Sequence, residues 1–182
     1  MFGSSLPVPI SASALAFVTL CMLSDVRTRR IPNAMCAPGM ALGVALNAAY
    51  FGVSGLVGSV AGLIAIVAVL LAPFALGGIG GGDVKMMGAV GALLGVQRGI
   101  AALAIGLVLG GAVMMIHLAR RGRLREKLEA VGTMVSAAVV VGSVDPLRVS
   151  AADQHAVALP YSVPLGVGTL AALMLTGNAF VR

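Results

Sequence analysis

Two acidic residues stand where a membrane-spanning chain has little use for them. Asp25 follows the apolar run 8–24, and Asp83 opens another apolar run directly after Gly80, Gly81 and Gly82. A carboxylate at the edge of hydrocarbon is costly, so it calls for a partner or a function. If the fold brings the two within reach of one water, mutual repulsion lets them hold one proton between them near neutral pH. The ionised carboxylate can then take a proton from water as it attacks a peptide carbonyl. The protonated one donates to the developing oxyanion and later to the leaving amine. That is aspartic-protease chemistry, and the sequence does not say which aspartate takes which part.

Each residue also has a plainer reading. Asp25 alone is equally a solvated charge at a helix end beside Arg27, Arg29 and Arg30. Asp83 is harder to explain that way, because a helix N-terminus stabilises its negative form. The glycines before it allow backbone conformations, and a close approach of substrate, that a Cβ forbids. Lys85 by itself is first a snorkelling cation. Other constellations are weaker. Ser24 and Ser162 have no His and Asp at recognisable spacing, and His117 and His155 stand apart as interfacial polar residues. Cys21 and Cys36 lack C-x-x-C spacing and read as small packing residues. No metal-ligand cluster is evident, no cofactor is expected, and the glycine run lacks the Lys-Ser/Thr pair of a phosphate-binding loop.

The elements that must position the aspartates follow from composition. With 59% hydrophobic and 10% charged residues in a chain of 182, an ordinary soluble domain is excluded. An all-α polytopic membrane helix bundle is expected. The net charge of +6 lies in short clusters between apolar runs, and Trp is absent. That charge therefore bears on membrane orientation and not on nucleic acid. Six spans are predicted, over about residues 8–24, 33–51, 56–76, 83–95, 99–118 and 159–177. Gly39 with Gly43, Gly58 with Gly62, Gly106 with Gly110, and the series Gly88, Gly91 and Gly95 predict close helix contacts. A tight uncharged connection is expected around Gly52 and Ser54.

No basic region precedes the first apolar run, so it reads as an uncleaved span with its N-terminus outside. The whole chain, 1–182, is expected to be one membrane-embedded domain with a cytoplasmic connection at 119–158. Within that connection, residues 130–144 are apolar but short, and read as an interfacial or partly embedded segment ahead of the alternative, a true crossing. Six spans put both termini in the periplasm and almost all Lys and Arg inside, leaving Arg98 and Arg182 outside, as the positive-inside tendency requires. Asp25 and Asp83 then lie at the same, inner edge of the bilayer.

These residues carry a family resemblance. Gly80-Gly81-Gly82-Asp83-Val84-Lys85 resembles the G-x-G-D-x-K motif of the type IV prepilin leader peptidases, which are membrane aspartic proteases. Asp25 followed by Arg29-Arg30-Ile31-Pro32-Asn33 resembles that family's D-x-x-x-R-x-I-P-N segment. Leu159-Pro160-Tyr161-Ser162-Val163-Pro164 is similar, more weakly, to the P-Y segment opening its last helix. The resemblance implies Asp25 and Asp83 as catalytic residues, with Gly80, Gly82, Lys85, Ile31, Pro32 and Asn33 shaping the site or binding substrate. It implies an endopeptidase that removes the short basic leader from prepilin or pilin-like precursors at the cytoplasmic face of the bacterial inner membrane. Larger members also N-methylate the new terminus through a segment with two C-x-x-C pairs. This chain lacks that segment and looks like the short, peptidase-only form associated with Flp tight-adherence pili. The alternative from another class is a small ion-coupled transporter or channel subunit with paired aspartates. Such sites lie near the bilayer midplane, whereas both aspartates here are expected at one edge.

Overall fold

The computed structural model describes residues 6–75, 79–122 and 162–175, and among these every regular element is an α-helix. In chain order they are α1 (Val8–Thr28), α2 (Asn33–Ala75), α3 (Gly81–Arg120) and α4 (Ser162–Leu175). The first three are long and apolar enough to cross a membrane, and α4 is a shorter apolar helix. The apolar stretch 130–144, most of the connection around it, His155, Pro160 and Tyr161 lie outside the described residues.

Neither α2 nor α3 is a straight rod. α2 breaks at Gly52 (φ 61°, ψ −142°) and α3 at Gly95 (φ 75°, ψ 179°), both at positive φ, where a Cβ would be strained. The chain reverses at each break. Asn47 and Ser59 both donate to the carbonyl of Ala92, at 3.1 and 2.6 Å, yet on one unbroken helix they would lie about 18 Å apart. Across the second break, a Cβ on Gly99 would sit 3.2 Å from the Cα of Gly91. Each long helix is thus a hairpin, with arms 33–51 and 53–75 in α2 and arms 81–94 and 96–120 in α3. The predicted boundaries at Gly52 and Gly95 hold, and Ser54 closes the first reversal by donating to the Phe51 carbonyl at 2.7 Å.

The contacts also give direction. Asn33, Gly43 and Asn47 meet Lys85, Ala92 and Leu93 in rising order, so the first arm of α2 runs parallel to the arm 81–94. Ser59, Gly62 and Val67 meet Ala92, Gly91 and Gly88 in falling order, so the second arm runs antiparallel. By the same reading α1 opposes the first arm of α2 through Phe17 and Gly39, and α4 opposes α1 through Ser162–Asp25 and Gly166–Met22. One hydrophobic core joins residues from all four helices.

The arm 81–94 is the centre of this bundle: from Val84 to Leu94 every residue but Lys85 is buried. Its neighbours come close because small residues let them. A Cβ on Gly62 would collide with the Gly91 carbonyl oxygen, and one on Gly91 would approach the Gly62 carbonyl oxygen to 2.5 Å. Gly43 faces the Ala92–Leu93 backbone at 2.8 Å, Gly39 faces the Phe17 ring, and Gly106 faces Leu165 and Gly168 of α4. The expected pairing of Gly58 with Gly62 is half right. Gly58 is half-buried with nothing within 4 Å of a Cβ, because only Gly62 lies on the side turned to Gly91.

Breaking α3 at Gly95 takes the usual helical donors from the last carbonyls of the arm 81–94. In an apolar surround no water replaces them. Asn47 supplies the replacement from another helix, its amide nitrogen 3.1 Å from both the Ala92 and the Leu93 carbonyl, and Ser59 adds the 2.6 Å bond to Ala92. Replacing Asn47 by Leu should therefore lower stability by about 1–2 kcal/mol, read as a lower Tm in detergent. Ser59→Ala should cost less, since Asn47 still reaches Ala92. In the same measurement Gly62→Ala should be strongly destabilising and Gly58→Ala close to neutral. Equal effects at the two glycines would contradict the packing described.

Candidate active site

Asp25 sits in the last turn of α1. The helix runs a turn past the predicted end at residue 24, because Arg29 adopts a left-handed cap (φ 52°) whose N–H reaches the Asp25 carbonyl at 2.7 Å. Ser24 and Thr28 then fold the basic turn back by donating to the Arg30 carbonyl at 3.1 and 3.0 Å. The carboxylate is accordingly not a solvated end charge. Asp25 is only 8% exposed, and its Oδ2 accepts a 2.5 Å hydrogen bond from the hydroxyl of Ser162, the first residue of α4.

Asp83 is half-buried in the first turn of α3. The carbonyl of Gly80 starts that helix, accepting from the N–H groups of Asp83 and Val84 at 3.1 and 3.2 Å. The Asp83 carboxylate turns back to accept from the Gly80 N–H, the acidic half of a capping box. In this position it lies within Coulombic reach of Asp25. The two aspartates singled out in the sequence are thus brought together at one end of the bundle, from helices that are far apart in the chain.

The residues expected around them interlock the same two segments. Lys85 is exposed, as a snorkelling cation would be, but its Nζ also donates to Oδ1 of Asn33 at 2.8 Å. Ile31 packs on Gly82, where a Cβ would come within 3.2 Å of the Ile31 Cβ. Pro32 is exposed and serves the start of α2, its carbonyl accepting from Met35 at 3.0 Å. The unusual backbone expected of the glycines is not found. Gly80 has φ −72° and ψ 145°, which any residue adopts, and Gly82 is helical. What they provide is room: a Cβ on Gly80 would lie 3.2 Å from the Asp83 Oδ2, too close for ordinary contact.

Below the carboxylates lie the cysteines. Cys21, one turn before Asp25 on α1, and Cys36 on α2 are both buried and lie beside each other. They are packing residues, as expected. His117 is half-buried near the end of α3, and its Nε2 has no hydrogen-bond partner among the described residues. Among those residues no group of three or more His, Cys, Asp or Glu is gathered as metal ligands. The sequence places Ser162 in the segment that resembles the P-Y motif but does not place it beside Asp25. It was weighed as a nucleophile, a role that needs a histidine, and not as a donor. The usable signal was its place in the first turn of the last span, at the end of the bundle where both aspartates were expected.

No curated protein and no solved structure matches this chain. A model of the Type IV leader peptidase family does, over residues 12–115. That match is more than half the chain and runs from the helix bearing Asp25, through the Ile31–Asn33 connection, to the helix bearing Asp83. Ser162 lies beyond it. With both aspartates and the segments that interlock them inside the matched region, the chain belongs to the type IV leader peptidase family.

Proposed function

We propose that this chain is an aspartic endopeptidase of the bacterial inner membrane that removes the short basic leader from a prepilin or pilin-like precursor at the cytoplasmic face. The observation that carries this reading is the convergence of Asp25 and Asp83 at one end of the bundle, held in register by Ile31 against Gly82 and by Lys85 on Asn33. Two carboxylates so placed are suited to holding one proton between them. The ionised one draws a proton from water attacking the scissile carbonyl, and the protonated one donates to the oxyanion and then to the leaving amine. Gly80 and Gly82 keep side chains away from that chemistry. The C-x-x-C pairs of methylating members are missing from the sequence, which supports a peptidase-only form of the Flp type.

The same reading includes a topology of six crossings with both termini periplasmic. Its support is the alternation of direction among α1, the arms of α2 and α3, and α4. Arg27, Arg29, Arg30 and Lys85 all gather at the end that holds the aspartates, as cytoplasmic residues would.

Purified full-length chain should cleave a pilin-like precursor with a basic leader, in the presence of EDTA. Asp25→Asn and Asp83→Asn should each abolish cleavage while remaining inserted and folded, because Asn keeps the shape and cannot exchange the proton. Full activity in either variant would reject the dyad, and loss on chelation with recovery on adding a metal would reject the aspartic mechanism. Gly80→Ala and Gly82→Ala should lower turnover per folded molecule by roughly tenfold or more. Gly88→Ala, whose Cβ meets only the side-chain ends of Val67 at 3.0 Å and Met40 at 3.3 Å, should act on stability instead. Near-normal turnover in all three would reduce the glycine run to a linker. For topology, a reporter fused at Arg182 should read periplasmic and one fused at Arg121 cytoplasmic. A cytoplasmic C-terminus would remove one crossing from the count or add one.

A further inference from the structure

Resting on the peptidase reading, we infer that Ser162 is a positioning residue for Asp25 and that α4 is thereby part of the active site. The Ser162 hydroxyl donates to Asp25 Oδ2 at 2.5 Å, the short distance of a charge-assisted O–H···O⁻ bond. Ser162 is fully buried, so no bulk water competes for the carboxylate at that oxygen. The contact engages Oδ2 and restrains the carboxylate, leaving Oδ1 out of that bond. The two aspartates are held differently. Asp83 is held by the N-terminus of its own helix, through Gly80. Asp25 is held by a helix 137 residues later in the chain.

That helix is itself firmly seated. One turn beyond Ser162, Gly166 lies against Met22 and Val18 of α1, so tightly that a Cβ there would collide with the Met22 sulfur. On its other side Leu165 and Gly168 pack on Gly106 of α3, where a Cβ on Gly106 would be 2.8 Å from the Leu165 Cα. Seated this way, the helix presents the Ser162 hydroxyl to the Asp25 carboxylate. If the bond served only to satisfy a buried acid, its loss would show in stability and leave turnover of the folded molecules alone. Positioning predicts the reverse weighting.

The test is kcat and KM, per folded molecule, of the full-length chain acting on a pilin-like precursor with a basic leader, with Tm measured alongside. Ser162→Ala should lower kcat by roughly ten- to a hundredfold while KM stays within about twofold. Ser162→Thr, which keeps the hydroxyl, should recover most of the activity. Ser162→Cys, close in size to serine but a poor donor, should behave like the alanine variant. Wild-type kcat in Ser162→Ala overturns the inference, as does a cysteine variant as active as the threonine one. If the alanine variant does not fold, the threonine and cysteine variants decide. An inactive wild type, or active Asp25→Asn and Asp83→Asn variants, sinks the peptidase reading and this inference with it. An active wild type with both aspartate variants dead and Ser162→Ala unimpaired sinks this inference alone.

Discussion

A helix buried all the way round has no polar face to orient it, and the arm that carries Asp83 is such a helix. Its position must be set entirely by what touches it. Gly43 and Gly62 bring two neighbouring backbones against it, and the neighbours come so close that van der Waals contact fixes both rotation and height. In a membrane this is where the specificity of packing lies, since lipid tails compete on equal terms with any larger apolar side chain. Asp83 inherits that precision. It sits in the first turn of a helix that can neither turn nor slide, and Asp25 is presented to it by a different helix with its own fastening.

Among the described residues, polar contacts that tie the central arm and its carboxylates to other helices gather at the two ends of that arm. At one end Asn47 and Ser59 take the carbonyls that the break at Gly95 leaves open. At the other, Lys85 with Asn33 and Ser162 with Asp25 join segments distant in sequence. Between the ends lie apolar side chains and glycines. The division follows from the medium: a freed backbone group in hydrocarbon must find a protein partner, and a buried carboxylate must find a donor. Neither need arises along the unbroken middle of a helix.

How much of this was legible in the sequence depended on whether a feature is carried by one segment or by two. Hydropathy and a single glycine mark a helix boundary locally, so the reversals at Gly52 and Gly95 could be read directly. The two aspartates were legible because a charge in an apolar run is conspicuous, and the segments around them carried a family's pattern. Asn47 was not, and Ser162 was legible as part of a motif-like segment but not as the donor to Asp25. The partner of an amide or hydroxyl, dozens of residues away in the chain, leaves no local mark. The glycines were half legible. Their presence announced close packing, but Gly58 and Gly62 look alike in sequence, and only the direction each faces separates them. Of the two reasons expected for Gly80, an unusual backbone and a close approach of substrate, the first is not found: the backbone is ordinary and lies beside a carboxylate that needs the space.

The bond between Asp25 and Ser162 also sets an order of events in the making of the protein. A chain leaves the ribosome N-terminus first at about 5–20 residues per second, so α4 follows α1 by on the order of ten seconds. For the later part of that interval, once residue 83 has been made, both aspartates and their interlocking segments are available to one another, and the donor to Asp25 does not yet exist. A chain that stalls or is cut short before residue 162 keeps the acid and lacks its holder. Completion of synthesis, and not the arrival of the two helices that bear the carboxylates, is the step that closes this end of the bundle.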